Sequence, residues 1–341
     1  HQNLQIEIER IEAILSNQVL LNEEIKKDLV TIMNKIGDGR RTKIMQLESN
    51  EDEIIEEKEV VVNYTNMGNV YTTETSSLYT GRRRTVGTKF KLDKDEFIYD
   101  TLVCKNTNKI IFFSENGKYT IVSANTFPIE QKSILPDCKG EHIVAATVIN
   151  EKSDIDLIFV TQLGNMKRTP LSEYTSRSSI AINLKENEKI VSVVPAYGDK
   201  IMVLTKSGMY LKLKVSDITK ASRKSGGVRG IKLDSTDVVV SAHMVDNAPY
   251  IIPITVEGKA KRVSNCLIGT GNKGNKGTRI GTEKEYVDFT VANENSDVLI
   301  TTTVSQLRIE AFNLSVLSRN AAGTSSIKLP AGAKVVKISS I

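Results

Sequence analysis

Clusters of lysine and arginine beside glycine are the residues of this sequence most able to do chemistry. Residues 79–89 read YTGRRRTVGTK, and similar basic runs follow in ASRKSGGVRG, KAKRV and GTGNKGNKGTRIG. Lys and Arg neutralise phosphates, and glycine lets the backbone approach them closely and donate its N–H groups. The sequence therefore predicts that the chain binds a polyanion. The candidate binding residues are Arg82, Arg83, Arg84, Lys89, Lys167, Arg168, Arg177, Arg223, Lys224, Arg229, Lys261, Arg262, Lys273, Lys276 and Arg279.

Side chains that could catalyse a reaction or hold a metal show no such grouping. Cys104, Cys138 and Cys266 are far apart and form no CxxC pair, which argues against a zinc site or a disulfide framework. His142 and His243 lie in or beside apolar segments, so we interpret them as structural. GTGNKGNKG resembles a phosphate-binding loop but lacks the Lys-Ser/Thr pair and the helix that follow such a loop. We therefore predict no catalytic residue, no metal site and no cofactor in this segment.

The charge is divided unevenly along the chain. The 341 residues carry a net charge of +5. Residues 1–59 hold 8 basic and 14 acidic side chains, a net −6, whereas the remainder holds 38 basic and 27 acidic side chains, a net +11. The basic part is the part suited to a polyanion. No apolar run approaches the ~18 residues that cross a membrane, and the N-terminus has no signal-peptide pattern, so we expect a cytoplasmic protein with no membrane partner.

Six similar segments follow one another from Val60 onward. Each consists of an apolar strand, a turn and a second strand, as in IMVLTKSGMYLKL. The predicted turns are at Gly68, Gly117, Gly164, Gly208, Gly258 and Ser305. Successive turns are 49, 47, 44, 50 and 47 residues apart. Glycine suits tight hairpin turns because it adopts positive φ without strain. Strand–turn–strand units at this period predict an all-β array of six blades closed into a disc, with an atypical last repeat.

The chain before these repeats is predicted to be helical. Apolar residues recur there at helical spacing in two stripes. An earlier helix would end near Ser16, and a second would have Asn22 as its N-cap and Gly37 as its C-cap. We therefore predict three parts, which are a helical hairpin or coiled-coil end (1–46), an acidic linker (47–59) and the β array (60–341).

The basic clusters recur at an equivalent place, in or after the hairpin of the first, third, fourth and fifth repeats. In a closed array this recurrence puts the charge on the rim. Trp is absent and the tyrosines lie mainly in strands, which disfavours a reader of single strands or RNA, because such proteins stack bases on aromatic side chains. The predicted ligand is duplex DNA of any sequence, bent around a curved basic rim. Two other classes stay open: a propeller that binds proteins, and a propeller enzyme, although no set of carboxylates or histidines for a central active site is recognisable.

Several short motifs resemble a known family, the A subunits of bacterial type IIA topoisomerases. KKDLVTIMNKIGDGRRTKI is similar to the end of that family's coiled-coil arm, and EEKEVVVNYTNMGNVYTT to the start of its C-terminal domain. NMKRTPLSEY and GGVRGIKL are similar to its later blades, so the resemblance covers essentially the whole chain. It implies a six-bladed β-pinwheel, a propeller-like array whose neighbouring blades exchange strands, preceded by a short α-helical coiled-coil end.

The resemblance also implies a function. In this family the domain binds, bends and wraps duplex DNA and directs ATP-dependent negative supercoiling by the holoenzyme, a type II DNA topoisomerase (isomerase). The implied protein partners are the ATPase B subunit, in a heterotetramer, and the remainder of the A subunit. ATP and Mg²⁺ would be bound by other parts of that holoenzyme, and the tyrosine that attacks DNA would lie outside this segment.

One motif departs from the family pattern. Gyrases carry the box Gln-Arg-Arg-Gly-Gly-Lys-Gly in the first connection, where this chain reads RRRTVGTK. Arg82 replaces the leading Gln, and Thr85 and Val86 replace the paired glycines, so that Val86 stiffens the backbone. Degenerate boxes are typical of topoisomerase IV, which does not wrap DNA chirally in the same way. The six repeats and GVRGIKL favour gyrase, so gyrase is the expected role and topoisomerase IV the alternative.

Overall fold

In a computed structural model the chain divides into two units, His1–Ile55 and Glu56–Ile341. The structure describes residues 1–37, 57–75, 83–89, 92–149, 154–175, 179–246 and 248–341. The division between the units falls inside the predicted linker, most of which lies outside the described residues. The three-part domain division therefore stays a prediction.

Two helices make up the described part of the first unit. α1 (Gln2–Ser16) and α2 (Gln18–Ile36) are joined through Asn17 and contact each other. The predicted N-cap at Asn22 is wrong, because α2 begins earlier, and the Asn17 side chain accepts a hydrogen bond of 3.0 Å from the second N–H of the helix. The predicted cap at Gly37 is confirmed, since its N–H donates to a carbonyl of the last turn at 2.8 Å.

Most apolar side chains of these two helices are exposed, as in Leu15 (71%) and Ile36 (75%). Within the described ranges, no helix combines the length and the hydrophobicity that crossing a membrane requires.

The second unit is built of short β-strands. The strands are β1 (Glu59–Thr65), β2 (Asn69–Glu74), β3 (Thr88–Lys89), β4 (Ile98–Lys105), β5 (Lys109–Ser114), β6 (Tyr119–Ser123), β7 (Lys132–Ile134), β8 (Ile143–Ile149), β9 (Asp156–Thr161), β10 (Asn165–Pro170), β11 (Ile190–Pro195), β12 (Lys200–Thr205), β13 (Met209–Lys214), β14 (Val228–Arg229), β15 (Val239–Met244), β16 (Tyr250–Thr255), β17 (Lys259–Ala260), β18 (Val263–Ser264), β19 (Thr278–Arg279), β20 (Tyr286–Ala292), β21 (Asp297–Thr302), β22 (Ser305–Glu310), β23 (Thr324–Ser325) and β24 (Val335–Ser340).

Each sheet is one blade, and five of the six described sheets contain strands from two repeats. In blade 3, β9 and β10 form the hairpin, β11 pairs with β9, and β14 from the next repeat pairs with the other edge of β10. The same order holds in blades 1 (β4-β1-β2-β7), 4 (β15-β12-β13-β19), 5 (β20-β16-β17-β23) and 6 (β24-β21-β22-β3). Blade 2 is β8-β5-β6, and Ile180 of the third repeat bridges to Lys118 beside β6. Neighbouring blades therefore exchange strands.

The exchanged strand β3 closes the ring. It belongs to the first repeat but pairs with β22 of the sixth, through Ser305↔Lys89 and Gln306↔Thr88. The strands that follow each hairpin contact one another in succession, from β4 through β8, β11, β15 and β20 to β24, and β24 contacts β4. These inner strands therefore surround the axis of the disc, and the exchanged strands form its outer edges.

The hairpin turns explain the spacing of the repeats. The five predicted turn glycines all have positive φ, between 71° and 85°. A Thr or Ser at the end of the first hairpin strand then accepts hydrogen bonds from beyond the turn, as Thr161 Oγ1 does from the Asn165 N–H at 3.2 Å. Ser305 does not occupy a turn as predicted: the sixth turn is residues 303–304, and Ser305 begins β22.

Clusters of buried hydrophobic side chains hold consecutive blades together. One cluster lies at each interface from blades 1 and 2 to blades 5 and 6. These five clusters do not include the interface between blade 6 and blade 1, which we call the seam. Polar contacts cross the seam: Gln306 Nε2 donates to Thr101 Oγ1 at 2.9 Å, and Ser339 Oγ donates to Asp100 Oδ1 at 2.6 Å.

Candidate nucleic-acid interface

The exchanged strands place three predicted binding residues at equivalent points on the outer edges. Each pairs with the first residue of a neighbouring hairpin's second strand, and each is exposed. They are Lys89 on blade 6, Arg229 on blade 3 and Arg279 on blade 4. The equivalent residue is Ser325 on blade 5 and Ile180 on blade 2. Half of the outer edges therefore carry a cation at the same place.

Four more predicted residues are exposed in the turns that precede these strands. They are Arg84, Lys224, Lys273 and Lys276. Lys276 Nζ lies 2.8 Å from the Asp234 carboxylate, and Lys273 Nζ donates to Thr219 Oγ1 at 3.4 Å. Exposed ion pairs of this kind contribute at most ~1 kcal/mol, so Lys276 can exchange Asp234 for a phosphate at little cost.

A glycine precedes four of the exchanged strands, β3, β14, β19 and β23, because the connection passes close to the neighbouring hairpin. A Cβ on Gly87 would lie 2.2 Å from the Gln306 carbonyl oxygen, and one on Gly277 would lie 2.1 Å from the Tyr210 carbonyl oxygen. Both glycines also have positive φ, 80° and 82°. Gly87, the one glycine in RRRTVGTK, is thus required by the fold, whatever this segment binds.

Three predicted binding residues are buried, and this corrects their predicted place on the rim. Lys167 and Lys261 are each 1% exposed, and Arg262 is 6% exposed. Lys261 Nζ donates to four backbone carbonyls at 2.6–3.2 Å. One carbonyl lies in the connection after the hairpin of the fifth repeat, to which Lys261 belongs, and three lie in the corresponding connection of the sixth repeat. Lys167 Nζ donates in the same way to the carbonyls of Ser222 and Arg223, at 3.2 Å and 2.6 Å. These lysines join successive connections and do not face solvent.

Burial also changes the protonation of the two lysines. Removal from water lowers the pKa of Lys167 and of Lys261 to about 8 each. The sequence held a signal for this role, because both lysines are the third residue after a turn glycine and directly follow a buried apolar residue, Met166 or Ala260.

Arg262 and Lys212 form a second buried pair of equivalent residues, each four residues after a turn glycine. Arg262 Nε donates to the Leu314 carbonyl at 2.8 Å, and its guanidinium lies 4.9 Å from the Tyr250 ring centroid. Lys212, which the sequence reasoning missed, donates to Asn265 Oδ1 at 2.8 Å. Both cations fix the turn that begins the next repeat's connection.

Three predicted arginines are half-buried and two lie outside the described residues. Arg168 Nε lies 3.5 Å from Asp156 Oδ2, and Arg223 Nη1 donates to the Ile180 carbonyl. Arg83 is also half-buried, and burial together with the neighbouring Arg84 lowers the pKa of Arg83 from its ordinary value. Arg82 and Arg177 fall outside the described ranges.

A charged cluster on the inner strands was not predicted. His243 Nε2 (β15) lies 3.2 Å from Asp288 Oδ1 (β20), and Lys337 Nζ (β24) lies 3.7 Å from Asp288 and 3.9 Å from Asp100 (β4). The cluster includes His243, which we interpret from the sequence as structural. Burial alone would raise the pKa of Asp288, but Lys337 and His243 hold it below the ordinary value. The cluster ties together inner strands of four blades.

The other candidate groups are separated. Among the residues that the structure describes, no group of three or more His, Cys, Asp and Glu could hold a metal ion. Cys104 and Cys138 are buried thiols and Cys266 is exposed. The ring of His142 packs edge-on against Tyr99, with centroids 4.4 Å apart. That this segment binds no metal or cofactor and holds no catalytic residue stays a prediction.

Known proteins resemble this chain over nearly its full length. Residues 156–196, 199–246 and 307–341 match the family described as DNA gyrase C-terminal domain, beta-propeller. The DNA gyrase A subunit of Ureaplasma parvum serovar 3 is 26% identical over 350 residues, which cover 96% of this chain and 42% of that protein. The chain spans about two fifths of the length of the curated relatives it matches. The predicted resemblance is confirmed.

Two solved structures share the fold. The chain superposes on the structure of the DNA gyrase A C-terminal domain with a TM-score of 0.75 and 21% identity, covering 83% of this chain and 100% of that one. The C-terminal domain of DNA topoisomerase IV gives a TM-score of 0.65 and 20% identity, covering 84% and 94%. The predicted array of six small antiparallel sheets after two helices is confirmed.

Proposed function

We propose that this chain, which is homologous to the C-terminal part of DNA gyrase A subunits, binds duplex DNA without sequence preference and bends it around the disc. The observation that carries the proposal is the exposed cation repeated at one place on three outer edges, by Lys89, Arg229 and Arg279. Cations at one radius neutralise successive phosphates along a curved path and release counterions, which drives binding to any sequence.

Bending requires contacts along the whole arc. Smoothly bending a site of 20–30 base pairs costs about 1–6 kcal/mol, and that cost is offset only by contacts that the bend itself permits. Blades arranged in a ring supply such contacts at intervals, with Arg84, Lys224, Lys273 and Lys276 adding charge beside the edge strands. Wrapping rather than simple binding is therefore the proposed activity.

We further propose the role of this domain in a holoenzyme. The curated relatives are DNA gyrase A subunits, so the expected assembly is a cytoplasmic heterotetramer of A subunits with the ATPase B subunit. ATP and Mg²⁺ would be bound by other parts of that assembly. Wrapping by this domain would direct ATP-dependent negative supercoiling.

Topoisomerase IV is the second candidate, and the degenerate box favours it. Thr85 and Val86 stand where gyrases have paired glycines, and the Val86 carbonyl accepts a hydrogen bond of 2.6 Å from Ser305 Oγ. A β-branched residue fixed in this way restricts how closely the backbone follows a phosphate. A holoenzyme containing this chain would supercoil relaxed plasmid if it is a gyrase, and would only decatenate and relax DNA if it is a topoisomerase IV.

Salt dependence of DNA binding tests the interface. We expect the log affinity of the 341-residue chain for a random-sequence duplex to fall steeply with log salt, and the triple variant K89A/R229A/R279A to reduce that slope by about 2.7, or 0.9 per phosphate contact. The control K26A/K27A/K35A removes the same charge from exposed sites on α2 and should leave the slope unchanged. An affinity that is indifferent to salt, or equal losses in both variants, would refute the outer-edge interface and favour a propeller that binds proteins.

A further inference from the structure

Arg83 and Arg84 are adjacent in the degenerate box, but their side chains have different surroundings. The Arg83 guanidinium donates to the Ser325 carbonyl at 3.0 Å, to the Asn313 carbonyl at 3.2 Å and to Thr324 Oγ1. All three acceptors belong to the sixth repeat. The Arg84 side chain is exposed. A guanidinium has five N–H donors, so these three bonds use most of them.

The same contact recurs in other connections. Counting back from the exchanged strands, Arg83, Arg223 and Arg319 occupy one position, five residues before the strand begins. Arg223 donates to the Ile180 carbonyl, and Arg319 donates to the Arg279 carbonyl at 2.8 Å. In each case the acceptor is the equivalent residue of the preceding repeat's exchanged strand. The recurrence assigns this position to joining one connection to the previous one.

Arg83 differs from its two equivalents in what it joins. Arg223 and Arg319 connect repeats that are consecutive in the chain, with a hydrophobic cluster between their blades. Arg83 connects the first repeat to the sixth, which lie at opposite ends of the array in the sequence; two of its acceptors, Thr324 and Ser325, are in β23 on blade 5. A cleft of about 650 Å³ lies between these two repeats, lined by residues that include Lys89, Phe97 and Val304. Arg83 therefore joins two repeats that do not follow each other in the chain.

The backbone after Arg83 is fixed by the same blades. The Arg84 N–H donates to the Ser326 carbonyl at 2.9 Å, and the Lys328 N–H donates to the Thr85 carbonyl at 3.1 Å. Lys89 then pairs with Ser305 in the sheet of blade 6. Residues 83–89, which we call the closing segment, are therefore held by the sixth repeat along their whole length.

We propose that Arg83 is a positioning residue: it ties the closing segment to the sixth repeat, so that Arg84 and Lys89 face the DNA from the outer edge of blade 6. The three arginines of the box thus do not act alike. Arg84 contributes a phosphate contact, and Arg83 determines whether that contact and the one from Lys89 are formed. The DNA contacts in this inference rest on the proposed function, whereas the positioning of the closing segment does not.

Hydrogen exchange of the free protein tests the positioning without DNA. In the 341-residue chain, R83A should raise exchange at the amides of residues 84–89 and 305–306 at least tenfold. R83K should do the same, because a lysine ammonium cannot reproduce the planar, three-acceptor geometry of the guanidinium. R84A should leave exchange in these segments unchanged. R223A, the matched control, should leave residues 84–89 unchanged because it removes the equivalent contact from a different interface.

The salt slope of DNA binding tests the consequence. R84A should reduce the slope by about 0.9, for one phosphate. R83A and R83K should each reduce it by about 1.8, because both Arg84 and Lys89 lose their positions, although R83K keeps the charge. The inference is overturned if R83K exchanges and binds like the parent protein while R83A matches R84A, since Arg83 would then be one more phosphate contact. If the parent protein shows no salt-dependent DNA binding, the proposed function fails, and the exchange result still decides the role of Arg83.

Discussion

Replacing the buried Lys261 with Met should destabilise the β unit without removing a DNA contact. Lys261 Nζ donates to four backbone carbonyls at 2.6–3.2 Å, and the residue is 1% exposed. Met fills a similar volume but leaves those carbonyls without their donor. A buried polar group that loses its partner costs about 1–3 kcal/mol. We therefore expect K261M to lower the free energy of unfolding by about 1–3 kcal/mol.

Urea unfolding followed by far-ultraviolet circular dichroism measures this loss, with DNA affinity measured on the folded variant at low temperature. K276M is the matched control: Lys276 is in the same repeat but exposed, so its stability should change by less than about 0.5 kcal/mol. The affinity pattern should be the reverse, with K276M weaker and K261M unchanged. If K261M were as stable as the parent protein and bound DNA more weakly, Lys261 would be a phosphate contact and the assignment of a structural role would be refuted.

The pH dependence of stability gives an independent signature. Burial lowers the pKa of Lys261 to about 8 in the folded state, whereas an unfolded lysine titrates near about 10.4. Between these values the unfolded chain binds more protons, so stability should rise as pH increases from about 8 to about 10. Lys167, whose pKa is also lowered to about 8, contributes in the same direction. The stability of the parent protein relative to that of K261M should therefore increase over this pH range.

Two further predictions concern the connections and the axis. G277A should destabilise the β unit by about 2–4 kcal/mol, because φ at Gly277 is 82° and the new Cβ would lie 2.1 Å from a carbonyl oxygen. The control G269A should change stability by less than about 1 kcal/mol, because a Cβ at that position meets nothing within 4 Å. Thermal unfolding of both variants checks this. D288N should lower stability at neutral pH by about 2–4 kcal/mol by depriving Lys337 and His243 of a carboxylate. The folded-state pKa of Asp288 is lowered, so the stability that its carboxylate contributes is complete above about pH 4 and is lost as pH falls through the folded-state pKa. The free energy of unfolding of D288N should therefore depend less on pH in the acid range than that of the parent protein. An identical dependence in both proteins would contradict the assignment.

Local sequence patterns determined the helices, the hairpins and the number of blades. A glycine with positive φ at each of five turns and an apolar run before it are short-range requirements, so their spacing alone predicted the array. The N-cap of α2 was misplaced because Asn17 and Asn22 both have suitable side chains, and only the backbone shows which one accepts the capping bond. The strand exchange was predicted only from the family resemblance, because the repeat period does not show which repeat supplies the outer strand of a blade.

The sequence also located the basic residues, but only the tertiary structure decided what each one does. Arg84 and Lys261 are both basic residues near a glycine in the sequence. Arg84 is exposed, whereas Lys261 is buried (1% exposed) and surrounded by four carbonyls. That difference depends on which backbone from the next repeat passes over the side chain, through contacts between residues up to 60 positions apart. The role of Arg83 requires still more, because its partners lie about 230–240 residues away and meet it only where the ring closes. The sequence alone gives the charge of each residue. Only the closed ring decides whether a cation is exposed, where it can contact a ligand, or buried, where it stabilises the fold.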